Sequence, residues 1–166
     1  MTPTLIVCEP TDRWRLAWQT WQRRRLQLRA RGSSAVRAAP ATLRSVRRLD
    51  ELPSAIERWR AAGVLLEVAG GNRVSVCECL IRLARGWPSP LLLVAGDRAA
   101  RGAEATLRWA GAAACAWSVR ELQPLVDWFE DDCQRLEAPP SNWEEQIRAT
   151  LPWSGTSGLT KIEEQP

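Results

Sequence analysis

Val64-Leu65-Leu66-Glu67-Val68, followed at once by Ala69-Gly70-Gly71-Asn72, is the stretch that most restricts what this chain can fold into. Four branched apolar residues closed by a glycine pair describe a strand buried on both faces that runs into a tight loop and then a helix. Strands of this kind belong to the interior of a parallel sheet, and ligands and chemistry collect beyond the carboxyl ends of such strands. Glu67 stands at that end. An acid in an apolar strand has to be paired, solvated or protonated, so the reading of function turns on this position.

The flanking segments repeat the alternation. Thr4 to Cys8 is a short apolar strand, and Glu9-Pro10-Thr11-Asp12 turns into a helix with Thr11 or Asp12 as its N-cap. Trp14, Ala17, Trp18, Trp21 and Leu28 fall at helical spacing and predict a buried tryptophan stripe, with the arginines on the other face. A polar connection with Gly32-Ser33-Ser34 leads to an arginine-bearing strand, Leu43 to Val46, placed at a sheet edge. Leu52, Ile56 and Trp59 predict a helix that starts near Asp50 and ends at Gly63.

Beyond the central strand, Asn72 is expected to cap a helix over Arg73 to Arg85 with Val74, Cys77, Ile81 and Ala84 inward, and Gly86-Trp87-Pro88-Ser89-Pro90 stops it. Leu91 to Ala95 is another uninterrupted apolar strand. Ala100, Ala103, Leu107 and Ala110 line a small-residue helix ended by Gly111, and Ala112 to Trp117 is the last strand. Ser118 with Glu121 forms a capping box for a final helix that turns Leu122, Leu125, Val126, Phe129, Cys133 and Leu136 inward, Pro124 moving its start toward Leu122.

Five strands alternating with five helices predict an α/β fold: a five-stranded parallel sheet, doubly wound as (βα)5 in three layers, over residues 1–137. Residues 138–166 form a C-terminal tail. There Trp143, Ile147 and Leu151 suggest a short amphipathic helix before Pro152-Trp153, with disorder from Gly155 onward.

Composition narrows the function classes. The chain has no histidine, which removes the usual general base and the commonest metal ligand. Without it the only hydrolytic pairing left is Ser-Lys, and the single lysine, Lys161, lies in the tail. Cys8, Cys77, Cys79, Cys115 and Cys133 sit in apolar segments and read as small core residues rather than zinc ligands. No metal and no cofactor are expected. No stretch reaches the ~18 uncharged apolar residues of a membrane span, and the start Met1-Thr2-Pro3-Thr4 lacks a basic leader, so a cytoplasmic location without membrane contact is expected.

The net charge of +4 conceals an arginine-rich, acid-free stretch from Arg13 to Arg48, in which Arg23, Arg24, Arg25, Arg47 and Arg48 make a candidate basic patch for nucleic acid or another polyanion. Arginine-biased composition explains the same residues without a ligand.

In order and spacing, the segments over Thr4 to Leu136 resemble the receiver domain of bacterial response regulators. Leu5-Ile6-Val7-Cys8-Glu9 stands beside that family's strand ending in acids, and Val64-Leu65-Leu66-Glu67-Val68 beside its strand bearing the phosphorylated aspartate. Pro90-Leu91-Leu92-Leu93-Val94-Ala95 and Gly111-Ala112-Ala113 match its last two strands. The resemblance places the phospho-acceptor at Glu67, the acidic Mg²⁺-binding pair at Glu9 with Pro10, or at Cys8 with Glu9 in a register shifted by one, the Thr/Ser position at Ala95 and the lysine position near Ser118.

Each replacement weakens phosphoryl chemistry. A longer acceptor carboxylate is displaced, one Mg²⁺ ligand is lost, and the phosphoryl charge lacks both its lysine clamp and its hydroxyl partner. The resemblance therefore implies a non-catalytic pseudo-receiver, a phosphorylation-independent interaction or scaffold module. Its contact candidates for a protein partner or a second copy are Trp109, Trp117, Arg120 and Trp128 on the face of the fourth helix, fifth strand and fifth helix, and Trp143 and Trp153 in the tail. Two other readings remain open: nucleic-acid binding through the basic patch, and a nucleotide- or flavin-binding protein, for which Ala69-Gly70-Gly71-Asn72 is a glycine pair without a Walker lysine or GxGxxG pattern.

Overall fold

The computed structural model describes residues 2–30, 40–86 and 90–137. Strands β1 (Thr4–Cys8), β2 (Thr42–Val46), β3 (Gly63–Val68), β4 (Leu91–Gly96) and β5 (Ala114–Ala116) alternate with helices α1 (Arg13–Ala30), α2 (Leu52–Trp59), α3 (Arg73–Ala84), α4 (Glu104–Trp109) and α5 (Leu122–Glu137). All pairings are parallel, in the order β2-β1-β3-β4-β5. The predicted doubly wound sheet is present, with Val64 to Val68 at its centre and the arginine-bearing strand at one edge. Met1–Arg135 is one compact unit and Leu136–Pro166 a second; Trp143, Trp153 and the expected tail helix lie outside the described residues.

Alternation along the strands sends successive side chains to opposite faces, and each face has its own core. Leu5, Val7, Leu65, Leu93 and Ala116 pack under α1 and α5, against Trp14, Trp18, Leu122 and Phe129. Trp18 and Phe129 meet edge to face with ring centroids 5.8 Å apart. Ile6, Val64, Leu66, Leu92 and Val94 pack under α2, α3 and α4, against Leu52, Val76, Leu80 and Leu107.

Several elements differ from expectation. α2 does not run to Gly63: it stops at Trp59, and Arg60 takes the left-handed conformation at φ 47°. Gly63 instead opens β3, where a Cβ would stand 2.5 Å from Cε2 of Phe129. α3 is rotated from the expected face. Val76, Cys79, Leu80 and Leu83 are buried while Val74 is 72% and Ile81 40% exposed. The helix carries two overlapping apolar stripes, and the one spaced i, i+3, i+4, i+7 makes the broader contact with the sheet.

In α1, Trp14, Ala17 and Trp18 are buried as expected, but Leu28 is exposed and Gln22 is buried in its stead, donating to the carbonyl of Ala41 and to Glu130. The small-residue helix begins as 3-10 turns over Arg98–Ala103 before the single α-helical stretch Glu104–Trp109, and β5 is three residues long. Half of the expected capping box forms: the Glu121 N–H donates to Ser118 Oγ (3.3 Å), but Glu121 Oε2 reaches past Ser118 to accept the Trp117 N–H (2.8 Å), and the two bonds close a turn ahead of the α-helix, which begins at Leu122.

Candidate functional site

β1 and β3 lie side by side with Cys8 opposite Leu66, so their carboxyl ends bring Glu9 and Glu67 to one place. Between them stands Trp14. Helix α1 begins at Arg13, and its first backbone N–H groups have no partner within the helix. The carboxylate of Glu9 fills that need: Oε2 accepts the Trp14 N–H at 2.7 Å and Oε1 the Arg15 N–H at 2.9 Å. A carboxylate at a helix N-terminus also complements the helix dipole. The expected N-cap, Asp12, precedes the helix, but its carboxylate is drawn away by the guanidinium groups of Arg15 and Arg47, each at 3.0 Å.

With its backbone held by Glu9, Trp14 turns its fully buried indole over β3, and Nε1–H donates to Glu67 Oε1 at 3.1 Å. One residue therefore joins both acids, through its main chain to Glu9 and through its ring to Glu67. The second oxygen of Glu67 is buried and accepts no hydrogen bond among the described residues. Beneath the acid, Asn72 does not cap α3 by its side chain. It closes the glycine loop instead, accepting the Ala69 N–H at 2.8 Å and donating to the Glu67 carbonyl at 3.2 Å.

The mouth above Trp14 is fastened from outside. The Arg13 guanidinium lies 4.8 Å from the Trp14 ring centroid and pairs with Asp97 at 2.6 Å. Arg47 bonds the Pro10 carbonyl at 3.0 Å and Asp12. Burial pushes the Glu9 carboxyl above its ordinary value, opposed by the two N–H donors and assisted by the neighbouring charge of Glu67.

The remaining positions of the expected pocket are occupied by inert or engaged groups. Ala95 faces Glu67 across the β3–β4 register and is buried; Ser118 spends its Oγ on the Glu121 N–H in the turn before α5. Among the described residues no three Cys, Asp or Glu side chains gather in a cation-holding arrangement. Helical spacing with Ala17, Trp18 and Trp21 marks Trp14 only as a core residue. Its place at the head of α1, five residues after Glu9, is what brings it into the pocket.

The candidate contact residues divide sharply. Trp109 is 92% exposed, whereas Trp117 is 2% exposed, its Nε1–H donating to Glu104 Oε2 at 2.8 Å. Trp128 is half-buried against the core under α1 and α5, and Arg120 is exposed. In the basic patch, Arg25 is withdrawn, its side chain 11% exposed and paired with Glu130 at 2.7 Å and Asp127 at 3.0 Å. Arg47 is paired with Asp12 and Arg48 with Asp50. Arg23 and Arg24 remain exposed, Arg24 lying over the Trp21 ring.

No protein-family model matches the chain, and no curated protein does. Solved structures do. A CheY-like protein (tadZ) from Pseudomonas aeruginosa PAO1 superposes with a TM-score of 0.55 at 15% identity, covering 78% of this chain and 94% of that one. A response regulator from Thermotoga maritima superposes with a TM-score of 0.58 at 16% identity, covering 79% and 99%. Sheet order, helix placement and these superpositions agree: the α/β unit has the CheY-like, flavodoxin-like (βα)5 fold, the receiver-like fold.

Proposed function

We propose that this receiver-like domain is a non-catalytic, phosphorylation-independent interaction or scaffold module of the cytoplasm, which holds one conformation without a phosphoryl group. The observation that carries the reading is the hydrogen bond from the Trp14 indole to Glu67. The side chain at the acceptor position is covered by a buried ring, and the neighbouring acid serves as a helix cap. Phosphoryl transfer needs a reachable carboxylate in line with its donor and a metal to offset charge; both requirements conflict with this packing. The nucleic-acid reading is weakened because Arg25, Arg47 and Arg48 already have carboxylate partners. The nucleotide or flavin reading is weakened because the glycine loop is closed on itself by Asn72.

Output then comes from a surface, and Trp109 is its anchor for a protein partner or a second copy. A nearly fully exposed tryptophan beside the Glu104–Arg108 pair has the composition of an interface hot spot. Intact-mass measurement after incubation with acetyl phosphate and Mg²⁺ tests the first half of the proposal: the expected result is unchanged mass, and a phosphoryl adduct overturns it. Sedimentation velocity tests self-association, which Trp109→Ala should weaken if the partner is a second copy.

A further inference from the structure

Beside the filled pocket, the carboxyl ends of β4 and β5 border a second, open concavity of about 590 Å³, in which Arg13, Asp97, Arg98, Trp117, Ser118 and Arg120 take part. Neither Glu9, Glu67 nor Ala95 lines it. It is formed by the head of α1, the loop after β4 and the loop between β5 and α5, and its volume lies in the range of small-molecule sites. Its lining residues carry three guanidinium groups, of Arg13, Arg98 and Arg120, and one carboxylate, of Asp97, a formal excess of two positive charges. Arg13 is held by Asp97, while Arg98 and Arg120, both exposed, have no carboxylate partner among the described residues.

We propose that this concavity binds a phosphate-bearing small molecule without covalent transfer, Arg98 and Arg120 grasping the phosphate and Arg13 turning to it from Asp97. Guanidinium is planar, permanently charged and forked, and it meets phosphate oxygens two at a time. The excess of two charges matches a phosphate dianion. The Arg13–Asp97 pair is 42% and 64% exposed, and an ion pair so open to water holds weakly, so a dianion can take the place of Asp97. The floor of the concavity is held rigid by Trp117, which is buried and bonded to Glu104. The concavity shares the Arg13–Asp97 pair with the mouth above Trp14, but the proposal requires no phosphoryl transfer to Glu67.

Isothermal titration of the full chain at low ionic strength, with inorganic pyrophosphate in one arm and ADP in the other, tests it. Saturable binding is expected in at least one arm. ADP binding more tightly than pyrophosphate assigns the phosphate to a nucleotide; equal or weaker binding assigns it to the free anion. Arg98→Ala with Arg120→Ala should weaken binding by about tenfold or more, with the circular dichroism spectrum unchanged. Asp97→Asn should strengthen it by removing the competing carboxylate, and Arg23→Ala with Arg24→Ala, off the concavity, should leave it unchanged. No saturable binding in either arm overturns the proposal, as does an affinity that Arg98→Ala with Arg120→Ala leaves intact or that the Arg23/Arg24 variant lowers equally.

Discussion

Trp14 occupies the ground between Glu9 and Glu67, where the proposed reading puts a receiver's ion and phosphoryl group, and its two hydrogen bonds make that occupation specific. Trp14→Ala removes a fully buried ring and strips Glu67 of its donor; the expected cost is about 3–5 kcal/mol, read by urea unfolding. Trp14→Phe keeps most of the volume and should cost about 1–3 kcal/mol, chiefly for the unmade bond to Glu67. Glu9 adds a pH dependence. Its carboxyl is raised by burial above the ordinary value of 4.5, so the folded chain binds that proton more tightly than the unfolded chain. This stabilisation is fully present below pH 4.5 and is lost as the pH rises through the raised value. The stability advantage of wild type over Glu9→Gln should therefore shrink from acid toward neutral pH. The need of Glu67 for a partner was legible in the sequence, because an acid in an apolar strand demands one. The partner was not, since Trp14 lies 53 positions away and its contact exists only once α1 docks.

Helix α5 was legible because its single apolar stripe fixes one face and Pro124 moves its start from Ser118 to Leu122, where it begins. α3 was not. Apolar side chains surround much of its circumference, and the sheet selected Val76, Cys79, Leu80 and Leu83 rather than the stripe through Val74 and Ile81. Gly63 shows the other limit: a glycine after a helix suggests its end, but here the missing Cβ admits Phe129 from α5 onto β3. Gly63→Ala should accordingly cost about 1–3 kcal/mol by overpacking, measured by thermal or urea unfolding. Cys8, buried where β1 packs under α2 and α3, has its thiol pushed up to about 12, chiefly by burial. It should resist alkylation by iodoacetamide in the native protein at pH values well below that, and react fully after denaturation, as read by peptide mass.

At the scale of the molecule, strict βα alternation was enough to specify the architecture, since parallel strands joined by right-handed crossovers leave few arrangements. The state of the pocket depends instead on how α1 meets β3, and the central claim is that Trp14 keeps it filled. The direct measurement is titration of ¹⁵N-labelled protein with Mg²⁺ and then beryllium fluoride, a phosphoryl mimic, following the indole N–H resonance of Trp14 assigned by its absence in Trp14→Phe. The expected result is no saturable shift of that resonance, which stays in its hydrogen-bonded position through both additions. A saturable, Mg²⁺-dependent shift on adding beryllium fluoride contradicts the account: Trp14 would then be a gate that yields, and the domain a working switch.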